Sequence, residues 1–164
     1  MDIKTLASFL DVFNYPIELL TLNPIEKIEF LKEIIRLGHL EKTNRCIHLW
    51  YTDDYKLFIG NYFLYDTCLR GHLNLTELML SLGATSYDNG LVGACENGHL
   101  SLINLMISLG ANDYDFGIEA SCMTGQLSSA KLMISLGVKN YDNALYYARL
   151  FKHEPLVKLL LDKI

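Results

Sequence analysis

Between Gly83 and Leu136 the pattern of apolar and polar positions runs twice through one 27-residue unit. GATSYDNGLVGACENGHLSLINLMISL is followed directly by GANDYDFGIEASCMTGQLSSAKLMISL, and fourteen of the twenty-seven positions are identical. A period of this length marks a stacked-repeat architecture, in which each unit leaves an apolar face uncovered until a neighbour covers it. In the first copy, Leu91, Ala94 and Cys95 fall at helical spacing and predict a helix from Asp88, about ten residues long. Gly98 supplies the left-handed residue that ends it. Leu100, Ile103, Leu105, Met106, Ile107 and Leu109 predict a second helix, apolar around much of its circumference and so mostly buried, which Gly110 ends in the same way. Ala111 to Tyr114 are too few for a helix and rich in turn formers.

The register continues on both sides. Leu64, Cys68, Gly71, His72 and Leu73 match Leu91, Cys95, Gly98, His99 and Leu100, and Leu78 to Gly83 match Leu105 to Gly110, so the period begins at about Asn61. The last unit begins at Gly137, with Tyr141, Asp142, Leu145 and Ala148 in register. Lys152 stands there in place of the turn glycine, so a non-glycine residue must adopt the turn or the turn must change shape. Glu154-Pro155 opens a final helix. The expected fold is all-α: an α-solenoid of stacked helix-turn-helix repeats at 61–82, 83–109, 110–136 and 137–164, behind a helical, partly irregular N-terminal cap over 1–60.

In that cap, Ile3, Leu6, Ala7, Leu10 and Phe13 predict an amphipathic helix interrupted at Tyr15-Pro16. Pro24 opens another, with Ile28, Leu31, Ile34, Ile35 and Leu37 on its apolar face and Gly38 at its end. Its last residues, Ile35-Arg36-Leu37-Gly38, resemble the ends of the later second helices. The stretch from Cys46 to Ile59 fits either a small hairpin centred on Thr52-Asp53-Asp54 or a helix through Trp50.

A formal charge of −5 argues against a nucleic-acid surface, which needs clustered Lys and Arg to neutralise phosphates. No apolar run approaches the roughly 18 residues of a membrane span, and the acidic N-terminus is wrong for a secretory signal. These features predict a single soluble, cytoplasmic domain. Cys68, Cys95 and Cys122 occupy one place in three successive layers, whose helices should lie about 8 to 10 Å apart. That exceeds the roughly 7 Å between Cα atoms that a disulfide tolerates. All three are therefore read as small core residues with reduced thiols, while the state of Cys46, outside the repeat, stays open.

With these residues in place a resemblance can be stated. Ala94-Cys95-Glu96-Asn97-Gly98-His99-Leu100, followed by Leu105-Met106-Ile107-Ser108-Leu109-Gly110-Ala111, resembles the helix-turn-helix of an ankyrin repeat. Asn89 to Ala94 occupy the place of that family's T-P-L-H-x-A start and keep the Leu and the Ala. Ankyrin units run to about 33 residues, and the residues missing here fall where that family projects a β-hairpin finger. Such short-loop repeats are similar to those abundant in large DNA viruses of protists. The resemblance covers residues 61–164. It implies a non-catalytic protein-binding scaffold, without metal or cofactor, that engages another protein through its loops and the exposed side of its first helices. A viral source would place it in the host cytoplasm or the virion, engaging a host protein.

Two candidate surfaces follow from the period. The outward positions of the first helices are expected at Gly93, Glu96 and Asn97 and their equivalents: Asp66, Leu69 and Arg70, then Ala120, Met123 and Thr124, then Tyr147, Leu150 and Phe151. Met123, Tyr147, Leu150 and Phe151 gather apolar side chains at the C-terminal end of that surface, where they could meet a partner, fold inward over the last layer, or meet a second copy of the chain. The second surface is the column Tyr87, Tyr114 and Tyr141, followed by Asp88, Asp115 and Asp142. It reads either as a binding edge, or as tyrosines packing over their neighbours with aspartates capping the first helix of each unit.

His72 and His99, four residues after Cys68 and Cys95, have a spacing that could ligate zinc, but each layer offers two ligands where a structural site needs four. In ankyrin-like repeats the equivalent His ties the turn to adjacent loops. Nothing in the pattern builds a Cys-His nucleophile. A structural subunit of a larger assembly, docking through Trp50, Tyr51, Tyr55 and Phe58, is a second functional class. A ubiquitin-ligase adaptor is a third, because Tyr15-Pro16-Ile17-Glu18-Leu19-Leu20 resembles the start of an F-box.

Overall fold

A computed structural model of the chain describes residues 22–164. The predicted helix over Ile3 to Phe13 and the F-box-like stretch Tyr15 to Leu20 lie outside the described residues. Among the described residues there are ten helices and no strand. They are α1 (Pro24–Arg36), α2 (Leu40–Trp50), α3 (Asp53–Leu69), α4 (Leu73–Ser81), α5 (Tyr87–Glu96), α6 (Leu100–Leu109), α7 (Tyr114–Thr124), α8 (Leu127–Leu136), α9 (Asp142–Leu150) and α10 (Glu154–Leu161).

The helix-turn-helix pattern begins earlier than the 27-residue period. Asn23 caps α1 with a full capping box: its side chain accepts from the Ile25 and Glu26 amides, and Glu26 accepts from the Asn23 amide. The helix ends in the turn Gly38-His39-Leu40, the same three residues as Gly71-His72-Leu73 and Gly98-His99-Leu100. Ile35 to Gly38 therefore close a first helix, not a second helix as their sequence suggests. The two turn glycines, Gly38 and Gly71, are separated by 71 − 38 = 33 residues, six more than the later spacing of 98 − 71 = 27. The extra residues lengthen a helix and not a loop: α3 has 17 residues where α5 has 10 and α7 has 11. The expected alternative of a hairpin around Thr52-Asp53-Asp54 gives way to the end of α2 at Trp50 and the start of α3 at Asp53.

The described chain divides into two compact units, the first taking residues up to Phe63 with 74–84, the second 64–73 with 85–164. In the first, Phe30, Leu31, Ile34 and Ile35 of α1 pack into a core with Cys46, Ile47, Ile59, Phe63 and Met79, all essentially inaccessible. Trp50 meets Phe30 edge to face at 5.5 Å between ring centroids. Each such large side chain contributes about 1.5–3 kcal/mol by leaving water.

In the second unit the first helices α5, α7 and α9 lie side by side, and each packs on its own second helix. The approach between first helices is set by glycine. A Cβ on Gly93 would lie 2.5 Å from the carbonyl oxygen of Tyr65 and 3.2 Å from the amide of Leu69. A Cβ on Gly90 would meet the Cys68 and Met106 sulfurs, and one on Gly117 those of Cys95 and Met133. Cys68, Cys95 and Cys122, all fully buried, thus recur at one place in successive layers, as their register predicts.

The turns of this unit carry a second close approach. The ring of His99 covers Gly71, Gln126 covers Gly98, and His153 covers Gly125, each with an atom under 3.0 Å from where a Cβ would stand. Each of these glycines also has a positive φ, from 74 to 85°. The expectation for Lys152 is met by the first of its two outcomes: it adopts the turn, with φ 59°, as the one positive-φ non-glycine among the described residues.

Two substitutions read these constraints in opposite directions. Gly93→Ala must push backbone from backbone and should destabilise the fold by about 2 kcal/mol. Lys152→Gly should stabilise it by about 1 kcal/mol, by relieving the left-handed strain. Urea unfolding followed by circular dichroism measures both, and an unchanged midpoint for Gly93→Ala would contradict the stacking described.

Candidate interaction surface

The stack sorts the side chains of its first helices into columns. The column of Asp66, Gly93, Ala120 and Tyr147, expected to face outward, does not: Gly93 and Ala120 are buried where α5 and α7 each meet the preceding layer, and Tyr147 is half-buried. The close approach of these helices leaves no room for an outward face there. The exposed column is the next residue but three, with Arg70, Asn97, Thr124 and Phe151 all open to solvent.

Three of those four have local work. Arg70 pairs with Asp66 one helical turn back at 3.1 Å. Asn97 donates to the Leu69 carbonyl of the preceding layer at 2.8 Å. The Thr124 hydroxyl donates to the Glu96 carbonyl of the layer before it. Phe151 can make no such bond. Its ring, 48% exposed, lies beside that of His153, which hydrogen-bonds the Met123 carbonyl, and Met123 (41%) and the adjacent Leu150 (53%) are exposed as well. Of the four apolar residues singled out from the sequence, the structure leaves these three exposed and Tyr147 half-buried, its ring edge to face with that of Tyr146 at 5.4 Å. Tyr146, 60% exposed, takes the outer place that the sequence assigns to Tyr147. The small side chains at Gly93 and Ala120 were the legible sign that position 147 belongs to an interlayer contact.

Tyr87, Tyr114 and Tyr141 stand at the starts of α5, α7 and α9, half-buried, and among the described residues no ring-to-ring contact joins them. Their aspartates do not cap their own helices. Asp88 accepts from the amides of Asn112 and Asp113 at 2.8 and 3.0 Å, and Asp115 accepts from those of Lys139 and Asn140 at 2.7 and 3.4 Å. Each carboxylate therefore holds the loop of the following layer, which replaces hairpin-to-hairpin contact in a repeat with short loops. The cap of α7 is Asp113, accepting from Phe116.

The histidines are occupied as spacers. His99 Nε2 hydrogen-bonds the Leu69 carbonyl at 3.1 Å and His153 Nε2 that of Met123 at 3.3 Å. Among the described residues no group of three or more His, Cys, Asp or Glu could hold a metal ion. Burial pushes the thiols of Cys46, Cys95 and Cys122 up to about 12, far from the thiolate that nucleophilic chemistry requires. Burial, followed by its hydrogen bond to Glu96, also raises Tyr65 to about 12.

In the other unit, Tyr55, Phe58 and Tyr62 line one side of α3 and are exposed, with Phe58 and Tyr62 stacked at 6.0 Å. Trp50 and Tyr51, grouped with them by sequence, are half-buried. No helix of the described residues is long and apolar enough to cross a membrane. A scan against protein-family models finds no match for this chain, and neither does a search of curated proteins.

The thiols supply a test. Because they stay protonated in the folded chain up to about 12 but ionise near 9.0 once exposed, the folded state holds more protons between those values and stability falls as pH rises through that window. Chemical denaturation from pH 8 to 11 should show a declining unfolding free energy, and a disulfide-exchange reagent at pH 8 should label the four cysteines only after denaturant is added. Rapid labelling of Cys95 or Cys122 in the native protein would contradict the buried column.

Proposed function

We propose that this chain is a non-catalytic protein-interaction scaffold built from short ankyrin-like repeats, engaging another protein through the exposed side of its first helices near the C-terminal end. The observation that carries this reading is Phe151. In a column whose other members pair or hydrogen-bond within the stack, Phe151 presents a half-exposed ring that meets only His153, Met123 and Leu150 are exposed as well, and exposed apolar side chains with polar ones around them suit a partner surface. Thr124 and Asn97, exposed in the two preceding layers, supply the polar side of that surface. The similarity of these repeats to those of large DNA viruses of protists favours a host protein as the partner and the host cytoplasm as the place.

A second reading has its own observation. The stacked, exposed Phe58 and Tyr62, with Tyr55 one turn away, would dock the other unit into a larger assembly. The two readings separate by site-specific crosslinking. A photoreactive residue at Phe151 should capture a discrete partner, one at Lys131 on the exposed side of α8 should not, and Met123→Asp with Phe151→Asp should weaken that capture about tenfold while leaving the melting temperature near wild type. Capture from position 58 with none from 151 would replace the first reading by the second.

A further inference from the structure

The C-terminal layer ends in a face that no part of the described chain covers. Asp142, Leu145, Tyr146, Arg149 and Leu150 line a shallow depression along α9. Tyr146 and Leu150 are the register equivalents of Tyr65 and Leu69, whose backbone receives Gly93 of the next layer. Asp142 is the equivalent of Asp88 and Asp115, each of which holds two amides of the next loop. On α10, Leu161 is 51% exposed, while its equivalents Ile107 and Ile134 are half-buried. The face is therefore built like an interior one. It also excludes a further layer of the interior kind. Arg149 takes the place of Cys68, Cys95 and Cys122, and in the inner layers the Cys68 and Cys95 sulfurs lie 3.3 and 3.4 Å from a Cβ position on the following helix, too close for a guanidinium.

What fits is a helix of opposite direction. Asp142 and Arg149 stand seven residues apart along α9, and the midpoint between them falls at Leu145 and Tyr146. Among the described residues neither forms an ion pair. Two copies of α9 crossing antiparallel about a two-fold axis at that midpoint bring each Asp142 to the other copy's Arg149, with Leu145 and Tyr146 between the pairs and Leu150 just outside them. The patch is self-complementary in charge and in shape of sequence, which is the requirement of an isologous contact. We infer that this face joins two copies of the chain into a two-fold dimer through α9. This inference stands apart from the partner surface at Phe151, although Leu150 borders both.

The test uses the full chain in sedimentation experiments from low micromolar to near-millimolar concentration. A monomer–dimer equilibrium is expected. Arg149→Asp turns both attractive pairs repulsive and should weaken the dimer at least about tenfold. Arg149→Asp combined with Asp142→Arg restores both pairs and should recover it. Phe151→Asp should leave it unchanged, so failure here and failure of the partner surface are read separately. Circular dichroism confirms that each variant is folded. If Arg149→Asp does not fold, Arg149→Gln takes its place, with severalfold weakening expected. A monomer at every concentration, a dimer indifferent to Arg149→Asp or Arg149→Gln, a folded double variant that stays monomeric, or growth beyond dimers would each overturn the inference.

Discussion

The stack depends on how closely one first helix approaches the next. With the Gly93 Cα resting against the Tyr65 carbonyl, the distance between layers is fixed by backbone and not by side chains, and interiors packed to that density cannot absorb an added methyl without shifting a whole helix. The residue choices along the period follow from this. In α5 and α7 the positions that meet the preceding layer are Gly or Ala, the sulfurs of Cys68 and Cys95 stand against Gly90 and Gly117, and the flexible Met106 and Met133 of the second helices reach the same two glycines, all of them buried. A thioether bends around a glycine where a branched side chain could not. In the second unit, second helices touch one another much less than first helices do.

The turn glycines show how two requirements can share one residue and then come apart. Gly71, Gly98 and Gly125 each need a left-handed backbone and an open Cβ position, since the next layer places His99, Gln126 or His153 on top of them. No described residue of a next layer covers residue 152, so only the backbone requirement survives there, and a lysine can meet it at a cost of about 1–2 kcal/mol. The same logic accounts for Gln126: the ring is replaceable by a planar amide because the residue serves as a cover for glycine.

Most of the repeat was legible because its constraints recur, so the period, the helix ends at Gly98 and Gly110, and the buried thiol column all stood in the sequence. Three things were hidden. The first repeat pair escaped because six extra residues were absorbed as turns of α3, which breaks a fixed-period comparison while leaving Gly38-His39-Leu40 unchanged. The aspartates were misassigned because a carboxylate near a helix start suits its own amides as well as those of a neighbouring loop, and only the stacking distance decides for the neighbour. The outward face is rotated from its expected position, with Tyr147 half-buried and its neighbour Tyr146 exposed. Helical spacing gives angles between residues, but says nothing about which side the next helix stands on.

That rotation bears on where specificity can reside. The cysteine column at the layer contacts is constant through Cys68, Cys95 and Cys122, while the residues vary from layer to layer along Arg70, Asn97, Thr124 and Phe151 on one line, and Tyr65, Val92, Glu119 and Tyr146 on another. In the inner layers even these are recruited, through Asn97 to Leu69, Thr124 to Glu96, Tyr65 to Glu96 and Asn143 to Glu119. In the layer of α9 and α10, by contrast, no described residue of a further layer draws on Tyr146, Arg149, Leu150 and Phe151, and all four are exposed together. Among the described layers the distinctive chemistry thus gathers where no described residue draws on these side chains for stacking.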